Sequence, residues 1–190
     1  LLECGGKSPQ IVFADVPDLD AVADAVIASI TFNSGQVCVA GSRLLVERTI
    51  HDDLLARVVA RARAFEVGDP LDETTTFGPL ASIEQHARVQ SYFEGGREEG
   101  AHVALDGSLT GRREGCYWLP TVLTGVESAM RIMQEEVFGP VLAVCAFDDE
   151  AEAVRLANST VYGLAANVWT SDLGRALRLA RQIRAGSVTI

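Results

Sequence analysis

Residues 32–43, with the sequence FNSGQVCVAGSR, join two regular segments and hold one cysteine between them. Before this stretch, apolar residues from Leu19 to Ile30 recur at the three- and four-residue spacing of one helical face. After it, residues 42–47 form the apolar run of a strand. The stretch therefore predicts a helix, a turn of small residues and a strand in succession. Asp18 is placed to cap the helix, and Gly35 to end it with a positive φ.

The cysteine of this stretch, Cys38, lies in the turn itself. Backbone N–H groups left unpaired near the start of a following element favour the thiolate, which is the nucleophilic form of cysteine. Burial among apolar side chains would instead leave the thiol inert. Taken alone, the pattern leaves both interpretations open: a reactive cysteine or a small core thiol.

Strands and helices alternate along the rest of the chain, which is typical of an α/β layered domain with a largely parallel sheet flanked by helices. A helix capped by Thr49 is expected to follow the strand at 42–47 and to reach Ala62. The other predicted strands are 8–13, 102–105, 121–123, 141–147, 165–169 and 187–190, and the other predicted helices are 83–99, 149–157 and 172–183. Residues 1–190 are interpreted as one domain.

Composition excludes several classes of function. A formal charge of −10 over 190 residues argues against nucleic acid or an anionic membrane as a partner, because both are bound through Lys and Arg clusters. The longest apolar runs have the length of strands, so we expect no membrane span. Four cysteines without a Cys-x-x-Cys pair disfavour a zinc site, a redox couple or a disulfide framework, and favour a reducing, cytoplasmic setting.

Three motifs together resemble the signatures of the NAD(P)-dependent aldehyde dehydrogenase superfamily. The first is LLECGGKSP at 1–9, the second is the Gly-Gln-x-Cys core and downstream arginine of residues 35–43, and the third is QEEVFGP at 134–140. The resemblance extends over essentially the whole chain and implies the family's catalytic domain. It also implies that 1–190 is a fragment, lacking an upstream Rossmann-type cofactor domain and a C-terminal oligomerisation tail.

The resemblance implies a role for two residues in the chemistry. Cys38 matches the nucleophile, whose thiolate forms a thiohemiacetal and then a thioester. Glu3 matches the general base that activates water to hydrolyse the thioester, although an isolated glutamate is usually a solvated surface charge. The oxyanion would take one hydrogen bond from the Cys38 backbone N–H.

Other positions match the cofactor and substrate contacts of the family. Glu136 and Phe138 match residues that hold the nicotinamide ribose of NAD or NADP, although Glu-Glu-Val-Phe-Gly-Pro by itself is an acidic turn before a strand. Phe32 matches a residue that lines the substrate tunnel, and Val37 and Val39 indicate an apolar wall beside the nucleophile. No metal site is expected.

Two further positions and the histidines have structural interpretations. Lys7 and Arg43 are predicted to be ion-pair or hydrogen-bond partners within the fold. His51, His86 and His102 have no metal-ligand spacing, so a cysteine hydrolase would need one of them to meet Cys38 in space.

The function implied by the resemblance is oxidation of a small-molecule aldehyde to a carboxylic acid with NAD or NADP. The motifs look most like relatives acting on γ-glutamyl-γ-aminobutyraldehyde and other aminoaldehydes, and the family implies a homo-oligomer, a dimer or tetramer. Two alternatives stay open: a cysteine-dependent thioester or ester hydrolase that needs no nicotinamide, and a non-catalytic assembly domain.

Overall fold

A computed structural model describes residues 4–108 and 115–190, and its centre is a seven-stranded sheet. The strands are β1 Pro9–Val12, β2 Arg43–Glu47, β3 His102–Leu105, β4 Thr121–Thr124, β5 Val141–Phe147, β6 Ala165–Trp169 and β7 Ser187–Thr189. The helices are α1 Leu19–Thr31, α2 His51–Ala62, α3 Ile83–Glu98, α4 Arg131–Gln134, α5 Glu150–Ala157 and α6 Leu173–Gln182. Single 3-10 turns occupy Phe32–Gly35 and Arg48–Ile50.

The strand order is β3-β4-β5-β2-β1-β6-β7, and every neighbouring pair is parallel except β3 with β4. The predicted α/β class with a largely parallel sheet is therefore confirmed. In a parallel sheet the chain returns to the start of the next strand through a crossover that usually contains a helix. These helices cover both faces of the sheet. This explains why the central strands are continuous apolar runs.

Alternate residues of the central strands enter two separate cores. Ile11 and Leu45 belong to the core that includes residues of α3, α4, α5 and α6. Val12 and Leu44 belong to the core that includes residues of α1 and α2. The period of two along each strand thus fixes which helices each strand residue contacts.

One of the two predicted helix caps is present. The side chain of Asp18 accepts hydrogen bonds from the backbone N–H groups of Asp20 and Ala21, as expected for the start of α1. The Thr49 cap was a wrong prediction, because a 3-10 turn precedes α2 and Ile50 occupies the cap position without a side-chain bond. Among the described residues, no helix is long and apolar enough to span a membrane.

The end of α1 also differs from the prediction. The helix stops at Thr31, four residues before Gly35, because Phe32 leaves the helical region with φ −54° and ψ 129°. Gly35 does have a positive φ of 75°, but it closes the 3-10 turn and not the helix. The 3-10 turn is therefore not part of α1, and it lies between the end of that helix and Cys38.

The three sequence motifs lie together at the amino ends of three adjacent strands. β1 pairs with β2 and β2 pairs with β5, so the segments before Pro9, Arg43 and Val141 lie along one edge of the sheet. The segments belong to the first, second and third motif respectively. Parallel pairing thus brings together residues that are up to 130 positions apart in the chain.

Candidate active site

The turn before Cys38 has an unusual backbone. Asn33, Ser34 and Gly35 all have positive φ values, 50°, 54° and 75°. A left-handed conformation costs a non-glycine residue roughly 1–2 kcal/mol, so two of these positions need compensating contacts. Such local strain persists only where surrounding structure holds it.

Hydrogen bonds from distant and local residues hold this turn. The Ser34 hydroxyl donates to the carbonyl oxygen of Gly78 at 3.0 Å. The Asn33 side chain donates to the Gln36 carbonyl at 3.1 Å, and the Gln36 side chain donates back to the Asn33 carbonyl at 3.2 Å. The Gln36 side-chain oxygen also accepts from the Ala81 N–H at 2.9 Å. The turn is thereby attached to the segment that precedes α3.

Cys38 is partly exposed and lies in a tight turn closed by a hydrogen bond from the Ala40 N–H to the Val37 carbonyl. Its thiol is free, and within the described part of the chain its backbone N–H has no hydrogen-bond acceptor. Its carbonyl faces Gly6 so closely that a Cβ added to Gly6 would lie 2.2 Å from that oxygen. Only glycine fits at position 6 without displacing the backbone of Cys38.

Glu136 lies on the other side of the same glycine pair. The Gly6 N–H donates to Glu136 Oε1 at 2.8 Å. Gly5 has φ +77°, and a Cβ added there would lie 2.5 Å from Glu136 Oε2. No hydrogen bond reaches Oε2 from any residue the structure describes, so this oxygen is available to a ligand hydroxyl. The pair Gly5-Gly6 thus lies between the carbonyl of Cys38 and the carboxylate of Glu136.

Two polar side chains of α3 hold the backbone around Glu136 and Phe138. Gln85 Nε2 donates to the carbonyl oxygens of Phe138 at 2.7 Å and Val137 at 3.0 Å. Arg88 donates to the Glu136 carbonyl at 2.6 Å. These contacts fix a segment in which Phe138 takes a left-handed φ of 58°. Sequence analysis missed both residues, because a glutamine and an arginine on a helix resemble ordinary surface positions.

Glu135, next to Glu136, is bound by side chains of α3 and α4. Its carboxylate accepts from the Tyr92 hydroxyl at 2.8 Å and pairs with Arg131. The hydrogen bond from Arg131 lowers the pKa of Glu135. The Glu135 carboxylate is therefore bound within the fold by residues of α3 and α4.

Arg43 and Lys7 are both buried beneath the edge. Arg43 donates to the carbonyl oxygens of Lys7, Leu156 and Ala157, each at 2.8 Å, so it satisfies carbonyls at the end of α5. This confirms Arg43 as a hydrogen-bond partner within the fold. The same prediction was wrong for the side chain of Lys7, because its Nζ has no hydrogen-bond partner among the described residues.

The three residues implied in substrate contact have different environments. Phe32 is 72% exposed and Val39 is 45% exposed, whereas Val37 is partly buried against the α1 and α2 core. A cavity of about 760 Å³ is lined by Ser34, Gln36 and Phe138 together with residues 76–81, and none of Phe32, Val37 and Val39 belongs to its lining. Cys38 lies two residues beyond Gln36 but is not part of this lining.

The histidines contact other parts of the molecule. His51 bonds to Asp52 and Thr124, and His86 packs against the Trp118 ring with centroids 5.4 Å apart. The His102 ring lies against Gly125. No hydrogen bond joins a histidine to Cys38 within residues 4–108 and 115–190. In the same residues no group of three or more His, Cys, Asp or Glu side chains is arranged to hold a metal ion.

Glu3 lies outside the described residues, so its role as a base stays a prediction. What the structure does place together is the thiol segment, the glycine pair and the Glu136 carboxylate. The model of the aldehyde dehydrogenase family matches residues 1–190.

The chain belongs to the aldehyde dehydrogenase family.

Relatives within the aldehyde dehydrogenase family match the full chain. The chain is 46% identical over 192 residues to betaine aldehyde dehydrogenase of Bacillus subtilis, covering 100% of this chain and 39% of the relative. It is 45% identical over 190 residues to aminoacetaldehyde dehydrogenase of Pseudomonas aeruginosa, covering 100% of this chain and 38% of the relative. The chain thus spans less than two-fifths of the length of these aldehyde dehydrogenases.

A solved aldehyde dehydrogenase has the same fold over nearly all of this chain. The crystal structure of an indole-3-acetaldehyde dehydrogenase in complex with NAD+ superposes with a TM-score of 0.95 at 50% identity, covering 99% of this chain and 38% of that chain. The resemblance read from the three motifs is therefore confirmed at the level of family and fold.

Proposed function

We propose that residues 1–190 form the catalytic domain of an NAD(P)-dependent aldehyde dehydrogenase that oxidises an aldehyde to a carboxylic acid. One observation carries this proposal: Gly5-Gly6 lies between the carbonyl of Cys38 and the carboxylate of Glu136, so the cysteine segment and this carboxylate share one edge of the sheet. An enzyme that couples thiol addition to nicotinamide reduction needs these two groups close together.

Cys38 is the proposed nucleophile. Its thiolate adds to the aldehyde carbon to give a thiohemiacetal, and oxidation of that carbon leaves a thioester on the same sulfur. The backbone N–H of Cys38, which has no acceptor in the described chain, is placed to donate to the oxygen that gains negative charge. Partial exposure of the thiol is consistent with attack by a diffusing substrate.

Glu3 is the proposed base for hydrolysis of the thioester. Water attack on the acyl carbon requires removal of a proton, and a carboxylate performs this best when its surroundings raise its pKa. Glu3 lies three residues before Gly6 in the sequence, within the first motif. The assignment of Glu3 rests on its match to the first motif, LLECGGKSP at 1–9.

NAD or NADP, when bound, accepts the two electrons of the oxidation. The residues present fit such a group: Glu136 Oε1 is held by Gly6, Oε2 is open to a ribose hydroxyl, and the missing side chain of Gly5 leaves the carboxylate room. Phe138 is 38% exposed and lines the adjacent cavity, where its ring is available for packing. Solved relatives in complex with NAD+ support this proposal.

The proposed substrate is a small aldehyde, with aminoaldehydes as the first class to test. Relatives named aminoacetaldehyde and betaine aldehyde dehydrogenase support this choice. Phe32, Val37 and Val39 would supply the apolar wall near the nucleophile. The proposal also includes the state of the full-length protein, which is a cytoplasmic homo-oligomer, either a dimer or a tetramer.

The test is formation of the reduced nicotinamide, followed by absorbance, in the full-length protein supplied with γ-aminobutyraldehyde or a short aliphatic aldehyde. Cys38→Ser should abolish the signal. Glu3→Gln should retain a first burst and slow the steady rate, because acylation proceeds while deacylation lacks its base.

A different outcome would favour another function. Ester hydrolysis that depends on Cys38, with no reduced nicotinamide from any aldehyde, would replace the proposal with a cysteine hydrolase. Absence of both activities in a folded, cofactor-binding protein would favour the assembly domain.

A further inference from the structure

The segment between α4 and β5, residues 135–140, carries both proposed cofactor contacts, Glu136 and Phe138. Residues 136–138 belong to neither a helix nor a strand, so their backbone carbonyls need hydrogen-bond partners from outside regular structure. Phe138 also has a left-handed φ of 58°, which is unfavourable for a residue with a bulky side chain. The segment therefore depends on other parts of the chain to keep this conformation.

One face of α3 lies against this segment. Gln85, Arg88 and Val89 occupy positions i, i+3 and i+4, which are on the same side of a helix. Val89 is buried, and a Cβ added to Gly139 would lie 2.4 Å from a methyl carbon of Val89. The lack of a side chain at Gly139 thus allows α3 to approach the backbone of the segment.

Three consecutive carbonyls of the segment accept hydrogen bonds from this face of α3. Gln85 Nε2 donates to the carbonyl oxygens of Val137 at 3.0 Å and Phe138 at 2.7 Å, which uses both of its N–H groups. Arg88 donates to the carbonyl oxygen of Glu136 at 2.6 Å. This hydrogen bond comes from a charged group, and such bonds are stronger than neutral ones. Two side chains of one helix therefore hold every carbonyl from residue 136 to residue 138.

A separate contact holds the side chain of Glu136. The Gly6 N–H donates to Glu136 Oε1, while α3 holds the main chain from which the carboxylate and the Phe138 ring extend. Binding groups that are fixed before a ligand arrives lose less conformational entropy when the ligand binds. The contacts from α3 thus bear on ligand affinity, although they are made to the backbone.

We propose that Gln85 and Arg88 are positioning residues for the nicotinamide cofactor: their hydrogen bonds hold Glu136 and Phe138 in the conformation that receives the ribose before the dinucleotide binds. Each acts through a backbone carbonyl and needs no contact with the dinucleotide. The inference rests on the proposed function, which assigns Glu136 and Phe138 to the cofactor.

The test measures dissociation constants of NADH and NADPH by fluorescence titration of the full-length protein. Gln85→Met keeps the length of the side chain and removes both donors, so we expect the constants to rise about tenfold, the size typical of a net loss of two neutral hydrogen bonds. Arg88→Met should raise them by a similar factor. Alkylation of Cys38 by iodoacetamide should keep its wild-type rate, because the hydrogen bonds of Gln85 and Arg88 go to other parts of the chain.

Gln90→Met is the matched control. Gln90 lies on the same helix as Gln85 and is also partly buried, but its Nε2 donates to Glu94 Oε1 at 2.7 Å, within α3. This variant loses a glutamine hydrogen bond of α3 without a change at the segment. Its dissociation constants should stay within about twofold of the wild-type values. Urea unfolding of each variant shows whether a loss of affinity merely follows a loss of stability.

A second comparison shows whether Gln85 acts through the two cofactor contacts. In a Glu136→Ala/Phe138→Ala background, Gln85 has no cofactor contact left to position. Adding Gln85→Met to this background should therefore change the dissociation constants by less than about twofold. A general structural role for Gln85 predicts the same tenfold factor in both backgrounds.

Three results would overturn the inference. These are wild-type affinity in a folded Gln85→Met protein, an equal loss of affinity in Gln90→Met, and an undiminished effect of Gln85→Met in the background that lacks both contacts. If Gln85→Met does not fold, Arg88→Met decides the question by the same criteria. Failure of the wild-type protein to bind either dinucleotide would instead reject the proposed function, so the two failures are distinguishable.

Discussion

Replacing Gly6 with alanine tests the central geometric feature of the site. The added methyl group would lie 2.2 Å from the carbonyl oxygen of Cys38 and 3.3 Å from a methyl carbon of Leu164. Carbon and oxygen atoms in close contact normally stay roughly 3.3 Å apart, so the two backbones must separate by about 1 Å. The Leu164 side chain can rotate away, but the Cys38 carbonyl is main chain and moves only with the turn that carries the thiol.

The expected effect on the reaction is larger than the effect on stability. A displacement of about 1 Å at a reacting group costs about a hundredfold in rate. Overpacking of this kind lowers the free energy of unfolding by about 1–3 kcal/mol, which leaves the protein folded if its stability is ordinary. Aldehyde turnover, alkylation of Cys38 by iodoacetamide and thermal unfolding should be measured on the same preparations.

Gly95→Ala is the matched control. Gly95 lies inside α3, and a Cβ there would be 3.8 Å from its nearest neighbour, a nitrogen of Arg131. Turnover should be unchanged, and the free energy of unfolding should rise by about 1 kcal/mol because alanine favours the helix. Undiminished turnover and alkylation in a folded Gly6→Ala protein would refute the importance of the contact between the glycine pair and Cys38.

Three further predictions concern stability. Asp18→Ala should lower the free energy of unfolding by about 1 kcal/mol in urea denaturation, since the cap of α1 is lost; no change would contradict the cap. Arg43→Met should lower it by about 3 kcal/mol, because buried carbonyls at the end of α5 lose their donor; retention of wild-type stability would show that those carbonyls find other partners. Lys7 has a folded pKa of about 7, below its ordinary 10.5, so between these values the unfolded chain binds more protons. The free energy of unfolding of the wild type should therefore rise relative to that of Lys7→Met as the pH increases from 7 toward 10. If the two proteins show parallel curves of unfolding free energy against pH, the pKa of Lys7 is not lowered by folding.

The regular elements could be predicted because their signals are local. The run at 141–147 is continuously apolar and forms β5 with the predicted bounds, and Asp18 caps the face that begins at Leu19. The helix Arg131–Gln134 was missed because four residues carry too little periodicity to recognise. Strand order is likewise invisible in the strands themselves, since it depends on which crossovers the whole chain makes.

The turn around Gly35 shows why the site itself was less predictable. A glycine after an amphipathic run is the usual sign of a helix end, yet α1 stops at Thr31. What stabilises the left-handed Asn33 and Ser34 is a pair of hydrogen-bond partners, Gly78 and Ala81, about 45 residues further on. No local pattern contains that information. The lack of a hydrogen-bond partner for Lys7 Nζ among the described residues was hidden for the same reason, because it depends on side chains from distant parts of the chain.

The sheet topology explains why the left-handed residues, the Gly5-Gly6 pair and the buried Lys7 lie at one edge of the sheet. β1, β2 and β5 are adjacent and parallel, so the three loops that enter them must share a narrow space at their amino ends. Glycines at positions 5 and 6 allow two of these loops to approach the third within contact distance. The same three loops carry the left-handed residues Asn33, Ser34 and Phe138 and the only lysine, which is buried. The geometry of the candidate site therefore follows from bringing three distant segments to one edge, and relaxing any one segment should loosen the other two.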